Sequence, residues 1–262
     1  LREDDHAAPV DFIGTINLQF PIEVLTIRIA QRLGFSLEKF RSARTIDEAF
    51  TYLRGCIEAA GSFPVEVFRG FALADTIAPM IVINGQDARP AWSFTALHEL
   101  THLWLGQTGI SGTDTESQIE RYCNDVAGEL LLPANEIRLL AKDLPPRDFE
   151  KCAQEISAFA EARRLSRGMV AYKLLRNSLI TRTFWAQLNQ YFTDQWLRQK
   201  DREAEKNRGA EGGPSYYVVR RHRVGPALLG LVRRSLDEGI ITLRRARSAL
   251  TASCSFSSMR TC

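Results

Sequence analysis

Apolar residues recur at helical spacing through the first third of the chain. They switch to alternation near position 64, then return to helical spacing from Trp92 onward. Pro21 opens a stretch with Ile22, Leu25, Ile29 and Leu33 on one face, and Gly34 ends it. Proline suits a first helical position and glycine the position after the last. Thr45-Ile-Asp-Glu48 has the spacing of a capping box and predicts a second helix carrying Ala49, Phe50, Leu53 and Ile57, ending near Gly61. Pro64–Phe68 alternates and reads as a strand. Pro79–Asn84 reads as another, rich in β-branched residues and bounded by Pro and Asn-Gly. Gly70–Ala78 is expected simply to connect them.

Helices are then expected over Trp92–Gly106 and Glu116–Leu132, the second closed by Pro133. Shorter ones follow over Asn135–Leu140 and Arg147–Arg164. Ser166 can cap another, and Thr183 starts one with Phe184, Trp185, Leu188, Tyr191, Phe192 and Trp196. Asp201–Pro214 is charged, Gly-rich and almost free of apolar side chains, which reads as a linker. Beyond it come a strand-like Tyr216–Val219, a helix over Pro226–Glu238 stopped by Gly239, a helix capped by Thr242, and a frayed Ser/Thr-rich tail. The expected division is a helical segment over 1–61, a core over 62–145, and a helical, helix-turn-helix-like extension over 146–200. A linker over 201–215 and a small basic appendage over 216–262 complete it.

Composition adds limits. The chain has 262 residues, 45% of them apolar and 25% charged, as in ordinary globular proteins. Its five cysteines are odd in number and form no CxxC pair, which argues against a zinc ribbon or a disulfide framework and fits a reducing cytoplasm. No apolar run reaches the roughly 20 residues of a membrane span, so no membrane partner is expected. Leu1–His6 is charged, with no signal-peptide core. The absence of an initiator Met points to a piece of a longer chain. Net charge is only +3, but Arg220–Arg247 holds eight arginines against Asp237 and Glu238. That patch suits nucleic acid or an acidic protein, and equally a solvated helical surface.

The candidate chemistry lies in Phe94–Gly106, which contains His98-Glu99-Leu-Thr-His102. Residues four apart share one face of a helix, so both imidazoles can reach one ion at roughly 2.0–2.1 Å. Glu99 lies about 100° around the helix from His98. It can flank the ion without ligating it and take a proton from water, as a general base. Two of the chain's four histidines are here, inside an apolar stretch. Without a metal, such a buried cluster would carry unsatisfied polar groups. A third ligand must come from downstream: Asp114, Glu116, Glu120, Asp125, Glu129 and Glu136 are available. Glu120, 18 positions after His102 on the next helix, is the choice, with Glu116 on the same face as its rival. Asn124, one turn further, is expected to orient Glu120. Three ligands plus water would mark a catalytic zinc, and four protein ligands a structural one.

Phe94-Thr-x-x-His98-Glu99-Leu-x-His102, followed by Glu120-x-x-x-Asn124-x-x-Ala127-x-x-Leu130-Leu131-x-Pro133, resembles the ImmA/IrrE family of zinc peptidases. Pro79-x-Ile81-x-Ile83-Asn84 resembles that family's strand before the active-site helix. The resemblance is specific from about Gly70 to Pro133 and weaker over Ile156–Leu188. Gly225–Leu250 is similar to an extension in some members. The resemblance implies an α+β, zincin-like fold and a zinc triad of His98, His102 and Glu120, with Glu99 as catalytic acid/base. It also implies cleavage of a partner protein, a helix-turn-helix repressor of a phage, mobile-element or stress circuit. There are departures: Ala91, Thr101, Cys123, Val126 and Leu132 stand where Arg, Gly, Ala, Phe and Met are usual. Thr101 is expected to narrow the space beside the metal.

The expected mechanism is metal-assisted peptide hydrolysis, with Tyr122, His222 or Arg121 as candidate oxyanion donors. The strand Met80–Asn84 is expected to offer an edge for an extended substrate. The alternative is a non-catalytic DNA- or repressor-binding regulator with a structural or vestigial metal. It rests on the Arg220–Arg247 cluster and the helix-turn-helix-like spacing of Ile156–Leu175.

Overall fold

The computed structural model describes residues 9–67, 71–110, 118–145, 148–208, 223–239 and 242–244. Helix α1 (Ile22–Leu33) buries Leu25, Ile29 and Leu33. Each such side chain contributes about 1.5–3 kcal/mol on removal from water. Gly34 ends the helix at φ 59°, with its N–H bonded back into the last turn. A short helix α2 (Leu37–Ser42), not anticipated from the periodicity, follows with Ser36 as its cap. In α3 (Ile46–Ala59), Thr45 accepts from the Glu48 N–H, and Glu48 reaches back to the Arg44 N–H.

Strands β1 (Phe63–Val67), β2 (Phe71–Leu73), β3 (Met80–Asn84) and β4 (Gly109–Ile110) form one sheet in the order β1-β3-β2-β4. β3 pairs parallel with β1 and antiparallel with β2. Two expectations are corrected here. The segment after Gly70 is not a plain connection, because Phe71–Leu73 pairs with β3. And β3 is not an edge strand over Met80–Val82, where β1 pairs with it on one side and β2 on the other.

Helix α4 (Trp92–Trp104) lies across the sheet, and α5 (Gln118–Leu131) packs along it, covered in turn by α1. This sheet, with helices over it, is the expected α+β, zincin-like arrangement. The far end of α4 is fixed by the segment before α1. Gly14 N–H donates to the Leu103 carbonyl at 3.0 Å, Phe12 stacks on Trp104, and Gly14 and Gly106 touch backbone to backbone. A Cβ on Gly106 would lie 2.8 Å from Gly14 Cα, and φ is +69° there, so this crossing requires glycine.

After α5 come α6 (Ala134–Asp143), α7 (Phe149–Ala162), α8 (Arg167–Arg176) and α9 (Arg182–Arg208). The α7–α8 pair has helix-turn-helix spacing, but α8 is not free to enter a groove. Met169, Val170, Ala171, Lys173 and Leu174 are buried, and α8 packs against α6, α7 and α9. The expected break at Asp201 is also corrected, since α9 runs through to Arg208. Its charged residues are good helix formers, and Gln199 donates to Glu203 one turn on. The rest of the expected linker, from 209, lies outside the described residues, as does Tyr216–Val219.

The last described helix, α10 (Pro226–Asp237), is docked on the core. Val224, Leu231 and Val232 are buried. Arg54 of α3 bonds Glu58, Glu66 and the Pro64 carbonyl, and its Nη2 also reaches the Arg223 carbonyl. Gly225 sits directly over this guanidinium. No helix among the described residues is long and apolar enough to cross a membrane.

Candidate metal centre

The chain enters α4 through an ordered turn. The Asn84 side chain accepts from the Gln86 N–H, Trp92 Nε1 donates to the Asp87 carbonyl, and the Arg89 guanidinium lies 4.2 Å from the Trp92 ring centre. From there nearly every side chain of α4 is buried, including His98, Glu99 and His102. Glu99 is only 1% exposed.

His98 and His102 face the same way, their Nε2 atoms 3.2 Å apart. Glu120, from the first turn of α5, turns one carboxylate oxygen to each: Oε2 lies 3.1 Å from His98 Nε2 and Oε1 3.4 Å from His102 Nε2. All three donors fall within 4.8 Å of one another. Two imidazole nitrogens and a carboxylate so close together are a ligand set that fits a divalent ion such as zinc.

The electrostatics agree with the fit. Ligands must shed their protons before they bind a metal. Burial, followed by the neighbouring His98, lowers the His102 pKa to about 4 against the opposing pull of Glu120. Glu120 is held below the usual carboxylate range, first by its contact with His98 and then, against burial, by the charges of both rings. At neutral pH the pocket therefore holds a neutral His102 and an ionised Glu120.

Asn124 does not orient Glu120, as the spacing on α5 suggested. Its Oδ1 lies 2.9 Å from His98 Nδ1. A carbonyl oxygen only accepts, so the ring nitrogen donates, and the lone pair of Nε2 is left facing the other donors. The carboxylate of Glu120 reaches past both Nε2 atoms, while Asn124, a turn along, meets the back of the His98 ring. Tyr172 of α8 lies on this side of α5, near Asn124 and Asp125. Sequence spacing gave no signal for Tyr172, because only the packing of α8 beside α5 brings it in. Burial, then the charge of Asp125, raises its pKa, so it stays a neutral phenol.

The other downstream carboxylates are engaged elsewhere. Asp125 pairs with Arg176, Glu129 with Lys173 and the Ala134 N–H, and Glu136 with Arg41 and Arg163. Asp114 and Glu116, the rival, lie outside the described residues. The Cys123 thiol sits between charges. Burial, then the carboxylates of Glu120 and Glu99, push its pKa well up, so it stays a protonated thiol. Thr101 is fully buried, with its hydroxyl donating to the Leu97 carbonyl. Of the oxyanion candidates, Tyr122 spends its hydroxyl on the Phe20 carbonyl at 2.8 Å, Arg121 is exposed, and His222 lies outside the described residues.

Residues 58–175 match the family model of peptidase M78, described as the IrrE N-terminal-like domain. Residues 58–175 thus form a domain of the ImmA/IrrE family. The family is one of metallopeptidases, and the matched residues include His98, Glu99, His102, Glu120 and Asn124. No curated protein matches the chain.

Proposed function

We propose that this protein is a cytoplasmic zinc-dependent endopeptidase. Its substrate is a partner protein, a helix-turn-helix repressor in a phage, mobile-element or stress-response circuit. The observation that carries this reading is the convergence of His98, His102 and Glu120 on one point, beside a buried Glu99 on the same helix. Three protein donors favour a catalytic over a structural ion. The family match supports a protein substrate.

In this reading His98, His102 and Glu120 hold zinc, Asn124 orients the His98 ring, and Glu99 is the general acid/base. When bound, zinc polarises the scissile carbonyl and makes water more acidic. The protein's own groups handle the protons. The Glu99 carboxylate takes one from the attacking water and returns it to the leaving amine nitrogen.

The test incubates the purified protein with the helix-turn-helix protein encoded beside it, with zinc or with chelator. Cleavage is expected from the wild type alone. Glu99→Gln should lose at least about 100-fold in rate, as expected for a general base, while keeping its zinc and its melting temperature. Cleavage that survives chelation or Glu99→Gln overturns the mechanism. A zinc-loaded wild type that binds the repressor and leaves it intact favours a non-catalytic regulator.

A further inference from the structure

We infer that Phe94 is a specificity-determining residue, the wall of a subsite that takes an aliphatic side chain of the substrate beside the scissile bond. This rests on the reading of His98 and His102 as metal ligands. Phe94 stands four positions before His98 on α4, so the two side chains share one face of the helix. Helical side chains lean toward the N-terminus, which sets the imidazole over the turn that starts at Phe94. The two rings meet there, with centroids 6.3 Å apart and 36° between their planes.

Exposure distinguishes this ring. Trp92, Leu97, Leu100, Leu103 and Trp104 of the same helix are buried, and Phe94 alone among its large apolar side chains keeps part of its surface outside. A single half-exposed aromatic is ordinary on a protein surface. This one adjoins donors that are themselves nearly closed off, since the side chains of His98, His102 and Glu120 are only 8%, 10% and 14% exposed. The part of the donor cluster that solvent still reaches therefore lies beside an aromatic ring. A peptide carbonyl brought to these donors carries a side chain on each neighbouring residue. One helical turn rises about 5.4 Å, so a branched aliphatic side chain beside that carbonyl can span the gap from His98 to the Phe94 ring. An acidic side chain would instead meet the Glu120 carboxylate, which lies against both imidazoles.

Binding tests this without turnover. Peptide hydroxamates grip zinc through their oxygens, and a matched pair differs only in one side chain beside that group, isobutyl or hydrogen. One pair carries it on the amino side of the hydroxamate and a second pair on the carboxyl side. Affinities are measured by calorimetry on the zinc-loaded full chain. In one of the pairs the wild type should favour isobutyl about 10- to 100-fold, the worth of burying a leucine-sized side chain. Phe94→Ala removes most of that apolar contact and should cut the preference about 10-fold. Phe94→Trp keeps a ring packed on the core and should fill the subsite, leaving no preference for isobutyl; it carries the test if the alanine variant folds poorly. A ring that merely supports His98 would weaken both members of a pair alike, and that result overturns the inference. A preference that survives both substitutions, or equal binding within both pairs by the wild type, overturns it too. Failure of the wild type to hold zinc or any hydroxamate overturns the metal reading beneath it.

Discussion

Glu136 ties three elements to the end of the helix that carries Glu120, and its removal tests how that support is built. Its carboxylate accepts two bonds from Arg41 Nη1, at 2.8 and 3.0 Å, and one from Arg163 Nε at 2.9 Å. Arg41 Nη2 meanwhile donates to the Leu131 carbonyl, in the last turn of α5. The Glu136 side chain is 22% exposed, and Arg41 and Arg163 are 22% and 28% exposed. Buried charged hydrogen bonds are each worth about 1.5–3 kcal/mol and exposed ion pairs about 0–1, so these part-buried contacts are worth about 1 kcal/mol apiece. Glu136→Gln keeps one acceptor oxygen and loses the charge. A loss of about 1–2 kcal/mol follows at neutral pH, or roughly 2–8 °C in melting temperature for a chain of this size.

The pH dependence separates the charge from the packing. Burial alone would raise the Glu136 pKa, but the hydrogen bonds and charges of Arg41 and Arg163 prevail and hold it below its ordinary 4.5. A carboxylate depressed in the folded state contributes its full stability above the unfolded value and loses it as pH falls through the folded value. The gap between wild type and Glu136→Gln should therefore be constant above about pH 5 and close below pH 4.5 as the wild-type carboxylate protonates. Urea titrations of both proteins from pH 7 downward measure it. A gap that persists undiminished once Glu136 is protonated would refute the charge-based account and assign the loss to packing.

Three further outcomes are expected. Cys123→Ala should retain zinc, and Glu120→Ala should lose it, by metal analysis after dialysis; the reverse result would move the third ligand to the thiol. Gly225→Ala would set a Cβ 2.0 Å from Arg54 Nη2 at φ +83°, so denaturant titration should show a loss of about 1–3 kcal/mol. An unchanged midpoint would mean that α10 does not dock on Arg54. Replacing Arg220, Arg221 and Arg223 by Ser should slow cleavage of the full-length repressor and spare a short peptide spanning the cut, because Arg54 holds position 223 by its carbonyl and not its side chain. Equal loss on both substrates would put this segment in the active site, and binding that falls steeply with salt would favour DNA.

Local signals alone were enough for a large part of this chain. Pro21 and Gly34 bracket α1, Thr45 and Ser166 cap α3 and α8, and the His98–His102 spacing puts two imidazoles on one face, because such features involve residues within a turn or two of each other. Glu120 could be picked out as well, since a single helix–loop–helix return limits where the next carboxylates can point. Composition misled at Asp201–Arg208, where charge was read as a linker although the same residues continue a helix. Other features depend on partners far apart in sequence. Whether β3 lies inside or at the edge is settled by β1 and β2, whose pairing no property of Met80–Asn84 encodes. Asn124 meets His98 rather than Glu120 because of the way α4 and α5 lie against each other. Arg176, 51 positions beyond Asp125, meets it only once α6 and α7 have brought the chain back to lay α8 beside α5. Caps and periods are local energies written in neighbouring residues, whereas these contacts arise only when separate helices share one core.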